Sequence, residues 1–337
     1  MSNWPRNYDS LLGGKMKKYI NLLLIVEAII CILICVLGGG DLNFASKLLE
    51  FLFKPLAIGL RKLSFLGSIA NIFAWVIFIL VCSIPIIILI VKIIKKKFAV
   101  EDSLLIVISL IMAPALYYMI NINTMVSQMI IPMEENESLY CILGAMIYSV
   151  IAGYVLIKVV RNFAKANKNQ LKGYFNNVLF VVNAILVLAS FGIYLNELVK
   201  KLDTYPGNIL GMYENLTITK AFLIMEYAMD VIIYLIVIGI IILVQGLIEK
   251  IDLDSISEEV VKRAKLISKF CVSTIVIHGI LNILYNGLQF VFIKKLFAVK
   301  GVVSVPIMIV LVMLIIMLFT QFILDAKSIK EENDMFI

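Results

Sequence analysis

Histidine occurs once in these 337 residues, tryptophan twice, and charged residues make up only 16% of the chain. A Ser-His-Asp or Cys-His arrangement needs a histidine base, and His278 lies inside an apolar run with no nucleophile motif beside it. HExxH is absent, which excludes that class of zinc protease, and no GxxxxGK[ST] frame exists for a phosphate-binding loop. The five cysteines (Cys31, Cys35, Cys82, Cys141 and Cys271) fall inside or at the edge of apolar runs. Without a CxxC or a mixed Cys/His cluster, neither a metal site nor a disulfide framework is expected. "GGGD", residues 38–41, matches the GxGD pattern of intramembrane aspartyl proteases, but those need a second aspartate facing it from another span. The only "YD" is Tyr8 and Asp9, in the N-terminal tail, and Asp41 stands where a helix N-cap is ordinary. No enzyme and no cofactor are expected.

What is abundant decides the class. Hydrophobic residues reach 62% and the mean hydropathy is +1.03, more than one water-soluble core can bury. An apolar run of about 20 residues crosses a hydrocarbon core of about 30 Å. Eight such runs predict an all-α polytopic integral membrane protein: 19–37, 69–94, 104–120, 139–157, 178–195, 221–248, 270–292 and 302–324. The third is shortest and could continue through "INTM". Together they form one membrane domain, 19–324, between tails 1–18 and 325–337. Charged "KMKK" before the first run imitates a signal peptide, but the length of the run and its internal Glu27 argue against cleavage.

Orientation follows from lysine and arginine, which are retained on the cytoplasmic side during insertion. With both termini inside, 20 of the 30 basic residues are cytoplasmic, and the outer loop "IPMEENES" has none. One segment conflicts, 43–64, where Lys47, Lys54, Arg61 and Lys62 would lie outside. Lys47, Glu50, Lys54 and Arg61 share a helical face, so the segment reads as an amphipathic helix in the headgroup layer, broken or restarted at Pro55; a hairpin packed on the bundle is the alternative. The net charge of +7 is dispersed over loop ends, so no nucleic-acid partner is expected. Lysine far outnumbers arginine, and Ile and Asn are frequent, as in AT-rich bacterial genomes. On that composition a bacterial cytoplasmic membrane is the expected location.

The connections "RNFAKANKNQLKGYFNN" and "EKIDLDSISEEVVKRAKLISK" are too short to form domains. In the second, Ser255 and Glu258 have capping-box spacing and Glu259 with Arg263 an i,i+4 spacing, which predicts a helix running into the seventh span.

Each ionisable group at a helix centre costs about 2.5–3.5 kcal/mol on insertion scales. The sixth span has two, Glu226 and Asp230, four apart on one face, with Tyr227 and Tyr234 nearby. In the seventh, "IVIHGILNILYNGLQF" puts His278, Asn282 and Asn286 on one stripe. Aligning the two antiparallel spans by their outer ends sets Glu226 level with Asn286 and Asp230 with Asn282, and His278 near Tyr234. These five residues are the candidate polar site, lining a cavity that opens outward. The competing account is interhelical packing, which uses Asn and His in the same way. Two functions remain open: a transporter or channel-like protein for a small solute, possible cation or proton-coupled substrate, or a noncatalytic membrane subunit or scaffold of a secretion, export or signalling complex. The bilayer is a partner in both, and further copies of the chain or other membrane subunits are candidate partners.

Overall fold

The computed structural model describes residues 7–38, 44–128, 136–204, 213–251, 257–296 and 307–335. Among them there is no strand. Seven helical stretches are long and apolar enough to cross a membrane: Ser68–Ile94, Val100–Ile120, Ser138–Lys165, Gln170–Thr204, Leu216–Lys250, Glu258–Val291 and Ile309–Glu332. A shorter apolar stretch, Leu22–Gly38, belongs to a longer helix, α1 (Asn7–Gly38). Each overlaps one of the eight runs expected, and the architecture is that of an all-α membrane protein. Residues 131–135 of "IPMEENES" and Ser255 lie outside the described residues; the rest of that loop, 136–138, opens a helix.

The chain divides into two compact units, 43–167 and the remainder, 1–42 with 168–337. The first holds α2 (Phe44–Glu50), α3 (Phe53–Ser64), α4 (Ser68–Ile94), α5 (Leu104–Ile120), α6 (Ile122–Gln128) and α7 (Asn136–Lys165). The segment read as interfacial is two helices, and its break falls at Phe51 and Leu52, ahead of Pro55. Pro55 then sits in the first turn of α3, where a backbone N–H has no intrahelical acceptor and its loss is harmless. Phe53 does not turn outward: with Ala57 it is buried against Cys82, Met112, Leu116 and Ile147, its ring edge-on to Tyr148 at 5.3 Å. One apolar face of α3 thus packs on its own unit. The polar face closes locally. Glu50, only 3% exposed, accepts from Lys54 at 2.7 Å, and Lys47 stands 3.9 Å away. Helix α2 comes so near α7 that a Cβ on Gly144 would fall on the Leu49 carbonyl oxygen, so glycine is required there for its missing side chain. The short third run does not continue through "INTM". Asn121, at φ −114° and ψ 51°, ends α5, and α6 starts afresh.

At the other end of this unit, a 3₁₀ turn (Val100–Ser103) leads into α5. Asp102, 2% exposed, is ion-paired to Lys92 of α4. It also accepts from Tyr154 Oη of α7 at 2.9 Å and from the Ala99 N–H at 3.0 Å.

The second unit is α1, α8 (Lys168–Leu188), a π-helical turn (Ala189–Tyr194), α9 (Leu195–Thr204), α10 (Tyr213–Lys250), α11 (Glu258–Val291) and α12 (Ile307–Met335). The centre is α10, whose apolar window is 56% buried against 17–39% for the other six. It is hydrophobic all round, as a surrounded helix must be. Ile233, Val237, Ile241, Val244 and Leu247 meet Ala264, Ile267 and Cys271 of α11 and Met313 and Ile316 of α12. The N-cap of α11 is Ser257, whose Oγ accepts from the Val260 N–H at 3.4 Å. The expected Glu259–Arg263 pair forms at 2.9 Å, and α11 runs unbroken into the seventh apolar run.

Candidate functional site

The opening lies between the turn after α8, α9 and α10. "LASFGIYLN" does not end its span at Leu195; the chain passes through the π-helical turn and continues as α9 to Thr204. A π-turn bonds i to i+5, takes in an extra residue and leaves carbonyls displaced from their usual donors; such turns concentrate at functional sites. Here other helices supply donors. Cys35 Sγ of α1 lies 3.3 Å from the Gly192 carbonyl oxygen and 3.6 Å from that of Phe191. Tyr227 Oη of α10 donates to the Ser190 carbonyl at 3.4 Å. The turn also brings Tyr194 Oη to 2.9 Å from Tyr234 Oη.

Beyond the turn, α9 projects its polar face toward α10. Lys201 Nζ is 2.9 Å from Glu197 on its own helix and 3.7 Å from Glu226 on α10. Between these helices is a pocket of about 90 Å³ lined by Tyr194, Glu197, Leu198, Lys201, Leu223, Glu226, Tyr227 and Asp230. That is space for a few waters or one small ion. Its lining sets three carboxylates against one ammonium. The Asp230 carboxylate accepts no hydrogen bond from a described residue, and it shares the pocket with Glu197, Glu226 and Lys201.

Helix α11 closes the far side of α10 and answers the question raised by its polar stripe. Its buried face is Cys271, Thr274, Tyr285 and Gln289, with His278 and Asn282 half-buried on the same side. The outward side is aliphatic: Val276, Ile280, Ile283, Leu284 and Leu288 are exposed. The helix is inside out relative to a water-soluble one, because hydrocarbon accepts its aliphatic face and rejects its polar one. Tyr285 and Gln289 lie buried one turn apart on this face. Phe222, one turn from Glu226, packs on Tyr285 and Phe292, each at 5.9 Å between ring centroids.

Of the five expected site residues, the pocket includes Glu226 and Asp230 in its lining and leaves His278, Asn282 and Asn286 outside it. Asn282 bonds back along its own helix, to His278 Nε2 at 2.9 Å and to the His278 carbonyl at 3.2 Å. Tyr194, Glu197, Lys201, Tyr285 and Gln289 were not among the expected residues. Their signal was nonetheless present: 194, 197, 198 and 201 follow i, i+3, i+4, i+7 spacing across the end assigned to the fifth span. Glu27 and Asn183 are not in the pocket lining. Asn183 is 1% exposed, and neither polar atom of its side chain has a described partner. Among the described residues no three His, Cys, Asp or Glu side chains could hold a metal ion. Compared with protein-family models, curated proteins and solved structures, the chain matches none.

Proposed function

We propose that this protein is a transporter or channel-like protein for a small monovalent cation or a solute bearing an ammonium group, with Glu226 and Asp230 as the carboxylates that receive it. The supporting observation is the composition of the pocket on α9 and α10, three acids facing one lysine among apolar helices. A membrane protein retains so many ionisable groups at one place only against an insertion cost, and they mark ion pathways by default. Lys201 is a tethered occupant. Its contact with Glu226, at 3.7 Å, is the longer of its two, and an entering cation takes over that carboxylate while Lys201 stays on Glu197. The π-turn beside the pocket is the element able to change register as this exchange occurs.

The test uses the purified full chain, titrated with sodium, potassium and methylammonium salts against a choline control. A ligand of the folded state at a hundredfold excess over its Kd stabilises by about 2.7 kcal/mol, and proteoliposomes should then pass the same cation. Absence of a thermal shift with all three cations, together with impermeable proteoliposomes, rejects the reading. Copurifying membrane subunits would then support the noncatalytic alternative. That alternative draws on the thin packing of α4, α7 and α11, whose apolar windows are only 22%, 17% and 17% buried.

The orientation proposed places both termini in the cytoplasm of a bacterial cell and the pocket toward the outside, on the charge asymmetry of the loops. Glu135→Cys should react with an impermeant maleimide on intact cells, and Lys168→Cys only after lysis. The reverse pattern inverts the topology.

A further inference from the structure

The unit 43–167 contains a second cavity, about 180 Å³, between α3, α4 and the end of α5. Its chemistry is the opposite of the first. The lining carries Arg61 and no acidic residue, with Ser64, Asn71 and Asn121 as its other polar side chains. Arg61 Nη1 donates to Asn121 Oδ1 at 2.6 Å, and Asn121 in turn donates to the Tyr117 carbonyl at 3.2 Å. The guanidinium lies over the Phe65 ring, 4.5 Å from its centroid. These contacts hold the fork in place while using one of its five N–H donors. Among the described residues it makes no ion pair. Asn71 accepts from Ser64 Oγ at 2.7 Å, and its amide N–H groups donate to no described residue. The donors that remain around this cavity are therefore a guanidinium and an amide, held apart from any carboxylate.

The rim has its own character. Trp75 and Tyr117 line the cavity and are 50% and 40% exposed; Phe65, Leu66 and Ile69 beside them are 72%, 78% and 74% exposed. Exposed Trp and Tyr flanked by aliphatic side chains belong to the level where acyl chains meet headgroups. An arginine without an acid, preset as a planar fork at that level, matches a phosphate in charge and shape. We propose that this cavity is a binding site for a phosphate group, with Arg61 and Asn71 as its donors and Trp75 and Tyr117 bracketing whatever the phosphate carries. Its source is a phospholipid headgroup or a free phosphate. The site is independent of the acidic pocket.

The experiment titrates the delipidated full chain in detergent with dihexanoylphosphatidylglycerol, with inorganic phosphate, and with dihexanoylglycerol as the phosphate-free control. It compares wild type with Arg61→Gln, Arg61→Lys and Lys62→Gln. Lys62, the next residue, carries the same charge but is absent from the cavity lining. Stabilisation by the phospholipid alone assigns a lipid site, and stabilisation by both phosphates a free-phosphate site. Either requires that Arg61→Gln weaken binding about tenfold or more, as loss of charged hydrogen bonds does. Lys62→Gln should change it little, and Arg61→Lys, which keeps charge without the fork, should fall between. Should Arg61→Gln fail to fold, the remaining pair decides: Arg61→Lys must bind more weakly than Lys62→Gln. Equal losses in those two, equal response to dihexanoylglycerol, or no response to any phosphate overturns the proposal.

Discussion

Asp230→Asn is expected to abolish cation-dependent stabilisation and flux while leaving the fold intact. The variant keeps the volume of the side chain and its capacity to accept a hydrogen bond, and it removes only the charge. No described residue donates to this carboxylate, so folding loses no hydrogen bond when the charge goes. A cation loses its charge-assisted partner, and affinity should fall about tenfold or more. Lys201→Met should act in the opposite direction. Removing the tethered ammonium, 3.7 Å from Glu226, leaves that acid to the solute, so apparent cation affinity should rise and the concentration giving half-maximal thermal shift should drop. Thiol labelling of Cys271, fully buried where α11 meets α10 and α12, reports whether either variant has loosened this unit. If both variants titrate like wild type and Cys271 stays protected, the two residues are packing elements and the transport reading has lost its main support.

Asp102→Ala is expected to cost the other unit about 3 kcal/mol, the scale for removing one partner of a buried ion pair. The loss is compound. Lys92, whose side chain is 21% exposed, is left beside Tyr154, to which it donates at 2.7 Å, without its counter-charge. The Ala99 N–H loses its acceptor, and the turn into α5 loses the carboxylate that closes it. Asp102→Asn, which preserves an acceptor for that N–H, should cost less. Cys82, buried in the core of α3, α4, α5 and α7, is the local probe: its labelling on heating should begin at a lower temperature in Asp102→Ala, with Cys271 unchanged. Identical Cys82 labelling in wild type and variant would show that the network contributes nothing to stability.

Much of the helical layout was legible because its cause is local. A run such as "IIYLIVIGIIILV" has no polar face to offer water, and that composition dictates an apolar helix; the central place of α10 was not legible, since α4 is as apolar and only 22% buried. Boundaries were less legible where two local causes compete. In "LASFGIYLNELVKKLDT" the charges suggest a span that stops at Leu195, yet a helix tolerates them once a π-turn rotates Glu197 and Lys201 toward α10. At Pro55 the expected break moved to Phe51 and Leu52, since a helix that starts at Phe53 accommodates proline in its first turn.

By itself the sequence determined the class of the protein, the approximate places of its apolar helices, and the pairing of Glu226 with Asp230 on one face, all of which depend on composition and on a period of 3.6 residues. It also marked the polar stripe of α11. Tertiary structure alone decided which neighbours those residues meet. Lys201 reaches Glu226 because a π-turn, satisfied by Cys35 from α1 and Tyr227 from α10, shifts the register of α9. Tyr285 and Gln289 are buried and Asn286 half-buried because the buried face of α11 is set by packing. Arg61 gains its cavity from α4 and from the end of α5, far along the chain. Contacts between helices depend on rotation about each axis, and a shift of one residue, about 100°, turns a side chain from pocket to lipid.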